Sequence, residues 1–211
     1  MNQANPYKDL KVAVLCCSQA SGEIGGAERL YQGLLDALLD EGCDARLVSV
    51  PGDESTFEHI LANYEYCQEL DLSGFDLVIS TKTPTFAVNH PRHVLWLVHT
   101  ARVFYDMFEE NFPYADRVLR DQRSHIQKMD TALFSAIPVR FTIGTEVSRR
   151  MKQCNGIDSD VIHPPMASNP FHQGPTGDYF FIPGRLHPWK RLDLLIDAVR
   201  LSDLPMKLKI A

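Results

Sequence analysis

Lys11-Val12-Ala13-Val14-Leu15-Cys16-Cys17, followed by Ser18-Gln19-Ala20-Ser21-Gly22-Glu23-Ile24-Gly25-Gly26, is the stretch whose reading decides the fold. The first seven residues form a short, β-rich apolar run without polar alternation, which suits a strand buried on both faces of a parallel sheet. The loop leads into Ala27, Leu30, Tyr31, Leu34 and Leu38 at helical spacing, and Gly42 stands where a helix C-terminal cap belongs. Ala45 to Val50 reads as the next strand and Pro51-Gly52 ends it, which completes a β-α-β unit with an expected right-handed crossover.

Working outward, further strands are predicted at Phe75 to Ser80, His93 to His99 and Arg140 to Gly144, with a short one at Asp160 to His163. Helical stretches fall at Asp116 to Phe134 and Thr145 to Cys154. Strands alternating with helices imply an α/β fold, with an open, doubly wound, mostly parallel sheet of Rossmann-like type. From Pro164 to Asp178, Pro164, Pro165, Pro170, Gly174, Pro175 and Gly177 interrupt any regular element, as in an interdomain linker. The expected division is residues 1–163 as a first domain, 164–178 as linker and 179–211 as the first β-α-β of a second domain. That β-α-β comprises a strand at Tyr179 to Pro183, a helix with Leu192, Leu195, Ile196 and Val199 on one face, and a strand at Met206 to Ile210. A unit this small buries too little surface to stand alone. The expectation is a truncated domain with an uncovered apolar face and a tendency to self-associate.

Composition narrows the function. The chain has 211 residues, 45% hydrophobic and 23% charged, with a net charge of −6. This is a globular balance that speaks against a nucleic-acid-coating protein but allows a local cationic pocket. Five cysteines without a Cys-x-x-Cys, and an N-terminus without signal-peptide features, fit a cytoplasmic protein.

Ligands of open α/β sheets bind at the carboxyl ends of the strands. Gly25 and Gly26 stand at the start of a helix after the first strand, where free backbone N–H groups and the helix dipole favour an anion; the bland alternative is a tight turn. The loop is neither Gly-x-Gly-x-x-Gly nor a Walker loop, so dinucleotide and ATP readings gain no support, and a nicotinamide oxidoreductase is disfavoured. His99 ends the Val94-Leu95-Trp96-Leu97-Val98 strand at the same face, where it serves either a ligand or the local structure. Arg185 and Lys190 flank a strand-to-helix turn, and together a bidentate fork and a point charge suit a diphosphate. The histidines show no paired metal-ligand spacing, so no metal is assigned. Asp158-Ser159-Asp160 resembles a cation-binding Asp-x-Asp pair but falls at the start of a strand, opposite the ligand-binding ends, and reads as a solvated loop. Phe104 and Phe108, in the aromatic stretch after His99, read as a buried face more than as a sugar platform.

Several segments, in order, resemble the GT-B glycosyltransferases, specifically the retaining family 4 (group 1) type. They are Gly25-Gly26-Ala27-Glu28-Arg29, Phe75-Asp76-Leu77-Val78-Ile79-Ser80, Val98-His99-Thr100, Val161-Ile162-His163-Pro164-Pro165 and Pro183-Gly184-Arg185-Leu186-His187-Pro188-Trp189-Lys190-Arg191-Leu192-Asp193. The resemblance implies an acceptor-side first domain and a second domain that binds a nucleotide-diphosphate-sugar as co-substrate, with no other cofactor. By matching position, Arg185 and Lys190 look like the diphosphate clamp, Gly25 and Gly26 like the backbone against donor sugar or phosphate, and His99 like the histidine that contacts the transferred sugar. The implied partners are a nucleotide-sugar donor and a carbohydrate or lipid-linked acceptor, compatible with peripheral membrane association although no basic amphipathic helix demands it. The family's Glu-x7-Glu element is absent from these residues, so the chain reads as an N-terminal piece of a longer enzyme. The alternative is a non-catalytic carbohydrate- or phosphate-binding module.

Overall fold

In a computed structural model, described for residues 5–17, 25–165, 172–184, 186, 190–202, 205 and 207–211, the chain divides into two compact units, Met1–Ser168 and Asn169–Ala211. In the first, strands β1 (Lys11–Cys17), β2 (Asp44–Val50), β3 (Leu77–Lys82), β4 (His93–His99), β5 (Val139–Thr142) and β6 (Asp160–Val161) form one sheet in the order β2-β1-β3-β4-β5-β6. Every pairing is parallel. The expected α/β, Rossmann-like topology is therefore present in this unit.

The helices are α1 (Gly26–Asp40), α2 (Phe57–Glu69), α3 (Phe108–Asn111), α4 (Arg117–Ala136) and α5 (Thr145–Asn155). α2 has no counterpart among the predicted helices; its start is marked by Thr56, whose side chain accepts from the His59 N–H. The third strand runs two residues further than expected, to Lys82: Ser80, Thr81 and Lys82 are buried, Ser80 pairs with Leu95 and Lys82 with His99 across a shift of register, and the Thr81 and Lys82 amides donate to Thr85 Oγ1. The fifth and sixth strands are shorter at their carboxyl ends than the predicted segments.

Residues on β1 alternate between the two sheet faces. Ala13, Leu15 and Cys17 join Ile60, Tyr64, Phe86, Phe108, Ile126, Phe134 and Met151, whereas Val12 and Val14 pack with Ile79, Trp96 and the leucines of α1. Both faces are covered, which is why β1 lacks polar alternation. Phe104 and Phe108 are buried in the first of these clusters, as the buried-face reading expects. The Asp158 carboxylate instead pairs with Lys152 at 2.7 Å in an exposed position, and the strand beginning at Asp160 leaves it opposite the carboxyl edge.

The second unit contains β7 (Tyr179–Ile182), α6 (Leu192–Leu201) and β8 (Lys207–Ile210), with the strands paired in parallel. None of its described residues is buried, and Phe180 and Phe181 are more than half exposed. Two strands and one helix cannot enclose their own apolar faces. Among the described residues of the chain, no helix is long and apolar enough to cross a membrane.

Gly42 and Gly156 both take positive φ, 85° and 71°, at the ends of α1 and α5. At Gly156 the N–H closes the helix onto the Lys152 carbonyl at 3.0 Å, and nothing lies within 4 Å of where a Cβ would stand. Gly156→Ala therefore adds left-handed backbone strain without a clash. The expected loss is about 1 kcal/mol, read as a melting temperature lower by about 2–4 °C for a chain of this size.

Candidate functional site at the carboxyl edge

The strand order reverses direction around β1: β2 lies on one side of it and β3 on the other. A crevice opens at such a switch point, above the carboxyl ends of the strands. That edge presents Cys16 and Cys17 from β1, Lys82 from β3 and His99 from β4, with the N-terminus of α1 beside it. Cys16, Tyr31 and Val98 form a small apolar cluster with Ala27 and Leu30, which seats the first turns of α1 against the ends of β1 and β4.

Gly25 is the N-cap of α1 in extended conformation. Its N–H donates to Glu28 Oε2 at 2.8 Å, so this amide is satisfied by the helix's own first turn. At Gly26 an added Cβ would meet nothing within 4 Å. Gly22 falls outside the described residues.

His99 is ladder partner to Lys82 and is partly buried. Its Nδ1 lies 2.9 Å from the Thr100 carbonyl oxygen. A carbonyl only accepts, so Nδ1 carries the proton and a neutral His99 presents Nε2 as an acceptor. Burial holds the imidazole pKa below its ordinary value; the Thr100 bond works against this, and the Lys82 and Arg102 cations reinforce it. The ring is accordingly neutral in the physiological range. A narrow cavity of about 10 Å³ beside it, the scale of one water, is lined by His99, Thr100, Tyr105, Arg150 and Met151.

The segment after His99 is held from beneath by a buried polar network. Asp130 of α4 is fully buried and accepts from Tyr64 of α2 at 2.5 Å and from Tyr105 at 2.6 Å. Asn155, at the end of α5, donates to the Tyr105 hydroxyl at 3.2 Å and to Thr131 Oγ1 at 2.8 Å. Asp106 is gripped by Arg102 at 2.8 Å and Arg150 at 3.3 Å, and the Arg123 guanidinium lies 4.4 Å from the centre of the Phe108 ring. Sequence reading missed Asp130, although it recurs with Ile126 and Phe134 on the buried stripe of α4, where a carboxylate signals a partner. Lys82, 8% exposed at the end of β3, was also missed.

In the second unit, α6 begins at Leu192 with Arg191 as its N-cap at φ 49°, so Lys190 lies in the turn before the helix, and is exposed. Arg185 lies outside the described residues. Among the described residues no three His, Cys, Asp or Glu side chains gather in a way that could hold a metal ion. No protein-family model matches the chain, and no curated protein matches its sequence.

The network gives a pH test. Burial pushes the Asp130 carboxyl up to about 7, with the two tyrosine hydroxyls opposing the shift and Glu54 adding to it. A carboxyl raised above its unfolded value means that the folded chain binds the extra proton between about pH 4 and 7, so this group's contribution to stability falls as pH rises through that window. Asp130→Asn removes the titration. Its melting temperature relative to the unsubstituted chain should therefore become more favourable from pH 5 to pH 8; a constant difference would mean that Asp130 does not titrate there.

Proposed function

We propose that the chain belongs to a retaining glycosyltransferase of GT-B, family 4 type, which moves a sugar from a nucleotide-diphosphate-sugar to an acceptor hydroxyl. The observation that carries the reading is the place of His99 at the carboxyl edge of β4, with Nδ1 committed to the Thr100 carbonyl. Nε2 is left to accept a hydrogen bond, the role needed to orient a sugar hydroxyl. The α1 terminus at Gly25 and Gly26 stands at the same edge of the sheet, and the ordered segments of the resemblance support the same assignment.

In this reading the protein's work is electrostatic. The leaving diphosphate gains negative charge as the glycosidic bond breaks, and fixed positive groups lower that barrier. Arg185 and Lys190 of the second unit supply the cations for that charge. His99 orients the sugar and takes no proton in the chemical step, in keeping with its lowered pKa. The leaving phosphate itself helps to deprotonate the acceptor hydroxyl.

Two substitutions test the assignment in an enzyme shown to turn over. Arg185→Ala or Lys190→Ala removes a charge-assisted contact worth about 1.5–3 kcal/mol, so affinity for the nucleoside diphosphate alone should fall on the order of 10- to 100-fold by calorimetry. Unchanged affinity in both would sink the clamp.

His99→Ala should lower kcat while leaving nucleoside diphosphate affinity nearly intact, because its contact is to the sugar. The measurement is kcat per folded enzyme, with the melting temperature taken on the same preparation. Normal turnover from a variant that merely melts lower returns His99 to a structural role. Specific binding of sugars or phosphate without turnover favours the non-catalytic module.

A further inference from the structure

Among the described residues two buried side chains are of strongly charged type, Asp130 and Lys82. Their circumstances differ. Asp130 receives two tyrosine hydroxyls, whereas the Lys82 ammonium has no hydrogen-bond or ion-pair partner among the described residues. Lys82 is only 8% exposed. A buried cation without hydrogen bonds is costly, so a fold that keeps one has a use for it or leaves a partner to arrive.

The surroundings indicate what that partner is. Lys82 is the last residue of β3, at the switch-point edge and in register with His99. It exerts its field on Cys16, Cys17, Glu54 and His99. Burial pushes both thiols up, Cys17 to about 12, and holds His99 neutral, so these three supply no negative charge in the physiological range. Glu54 is the one carboxyl in that set, and it makes no ion pair with the ammonium. Along the same edge, the buried Thr100 hydroxyl has no partner among the described residues, and neither has Oε1 of Glu28, whose other oxygen accepts from the Gly25 N–H. An ammonium without a partner among the described residues, with the Thr100 hydroxyl at the same edge, complements a compact oxyanion better than a neutral sugar face.

We propose that Lys82 binds a phosphate or carboxylate group on the acceptor, making this edge an anion-recognition subsite and the acceptor an anionic molecule. Assignment of that anion to the acceptor rests on the transferase reading; the anion site does not.

The test uses the full chain, with glucose 6-phosphate, glucuronate, inorganic phosphate and neutral glucose as probes in calorimetry, and nucleoside diphosphate as competitor. Wild-type protein should bind glucose 6-phosphate or glucuronate at least tenfold more tightly than glucose. Lys82→Met should erase the difference while melting no lower than wild type without anion, because removing a lone buried cation relieves the fold. Lys82→Arg, which keeps the charge, should retain most of the preference. The proposal is overturned if anions and glucose bind alike, or if the Met variant keeps the anion preference. It is also overturned if the Met variant melts several degrees lower and loses nothing else, since Lys82 would then pair structurally with Glu54. Competition by nucleoside diphosphate that depends on Lys82 would assign the anion to the donor and overturn the acceptor assignment. Lys82-dependent phosphate binding in a chain indifferent to nucleotide sugars would uphold the anion site and defeat the transferase reading alone.

Discussion

The Asp130 carboxylate sits where two helices and a loop must agree. Tyr64 comes from α2, Asp130 from α4 and Tyr105 from the segment after β4, and the two hydroxyls reach the carboxylate from residues 66 and 25 positions away in sequence. Removing either hydroxyl would leave a buried acceptor short of a donor, a penalty well above the net value of one hydrogen bond. The consequence reaches the edge of the sheet. Tyr105 lines the same narrow cavity as His99, so the contact that satisfies Asp130 also limits where the backbone after His99 can run. Arg102 and Arg150 on Asp106, and Arg123 over Phe108, fasten the remainder of that segment to α4 and α5. A loop held at this many points presents His99 in one geometry, the condition for orienting a ligand.

Parallel pairing supplies the second constraint. Because all six strands of the first unit run the same way, every strand delivers its last residue to one edge. The reversal of order at β1 then separates the connections leaving β1 and β3, opening space at that edge. Cys17, Lys82 and His99 are thus neighbours by topology. The Cys17 thiol donates to the Thr83 carbonyl at 3.2 Å, and Thr83 N–H reaches the His99 carbonyl at 3.4 Å, so three strand ends are stitched together just where they stop.

The sheet was legible because apolar runs such as Val12 to Leu15 and Val94 to Val98 have no polar alternation, and burial on both faces is what that pattern records. His99 was legible as the residue following such a run. What was not legible depended on tertiary contacts. α2 carries Asn63 and Tyr64 on its buried side, and these polar atoms weaken the apolar stripe that would have announced a helix. Ser80, Thr81 and Lys82 look like the loop after a strand, yet the pairing of Lys82 with His99 beyond a shift of register and the Thr81 hydroxyl bond to the Leu15 carbonyl at 2.8 Å keep them in the sheet. The amide of Gly25 illustrates the opposite case: its place at the helix N-terminus was clear, but Glu28 three residues later takes the N–H that a ligand would have used.

These observations change how charge is understood in a chain whose net value is −6. Average acidity says nothing about the edge of the sheet, because the carboxylates that dominate the count are solvated or engaged elsewhere. Asp106 is held by two arginines, Asp158 by Lys152, and Asp130 lies below the edge with two hydroxyl donors. The groups facing Lys82 are mostly uncharged at neutral pH for the same reason that it is buried: desolvation raises the thiols and lowers the imidazole. Burial therefore does two things at once. It keeps the thiols and the imidazole from competing as charges and pushes the Glu54 carboxyl up toward its neutral form, and it lowers the local dielectric through which the lysine acts, so that a single cation carries further than it would on an exposed surface.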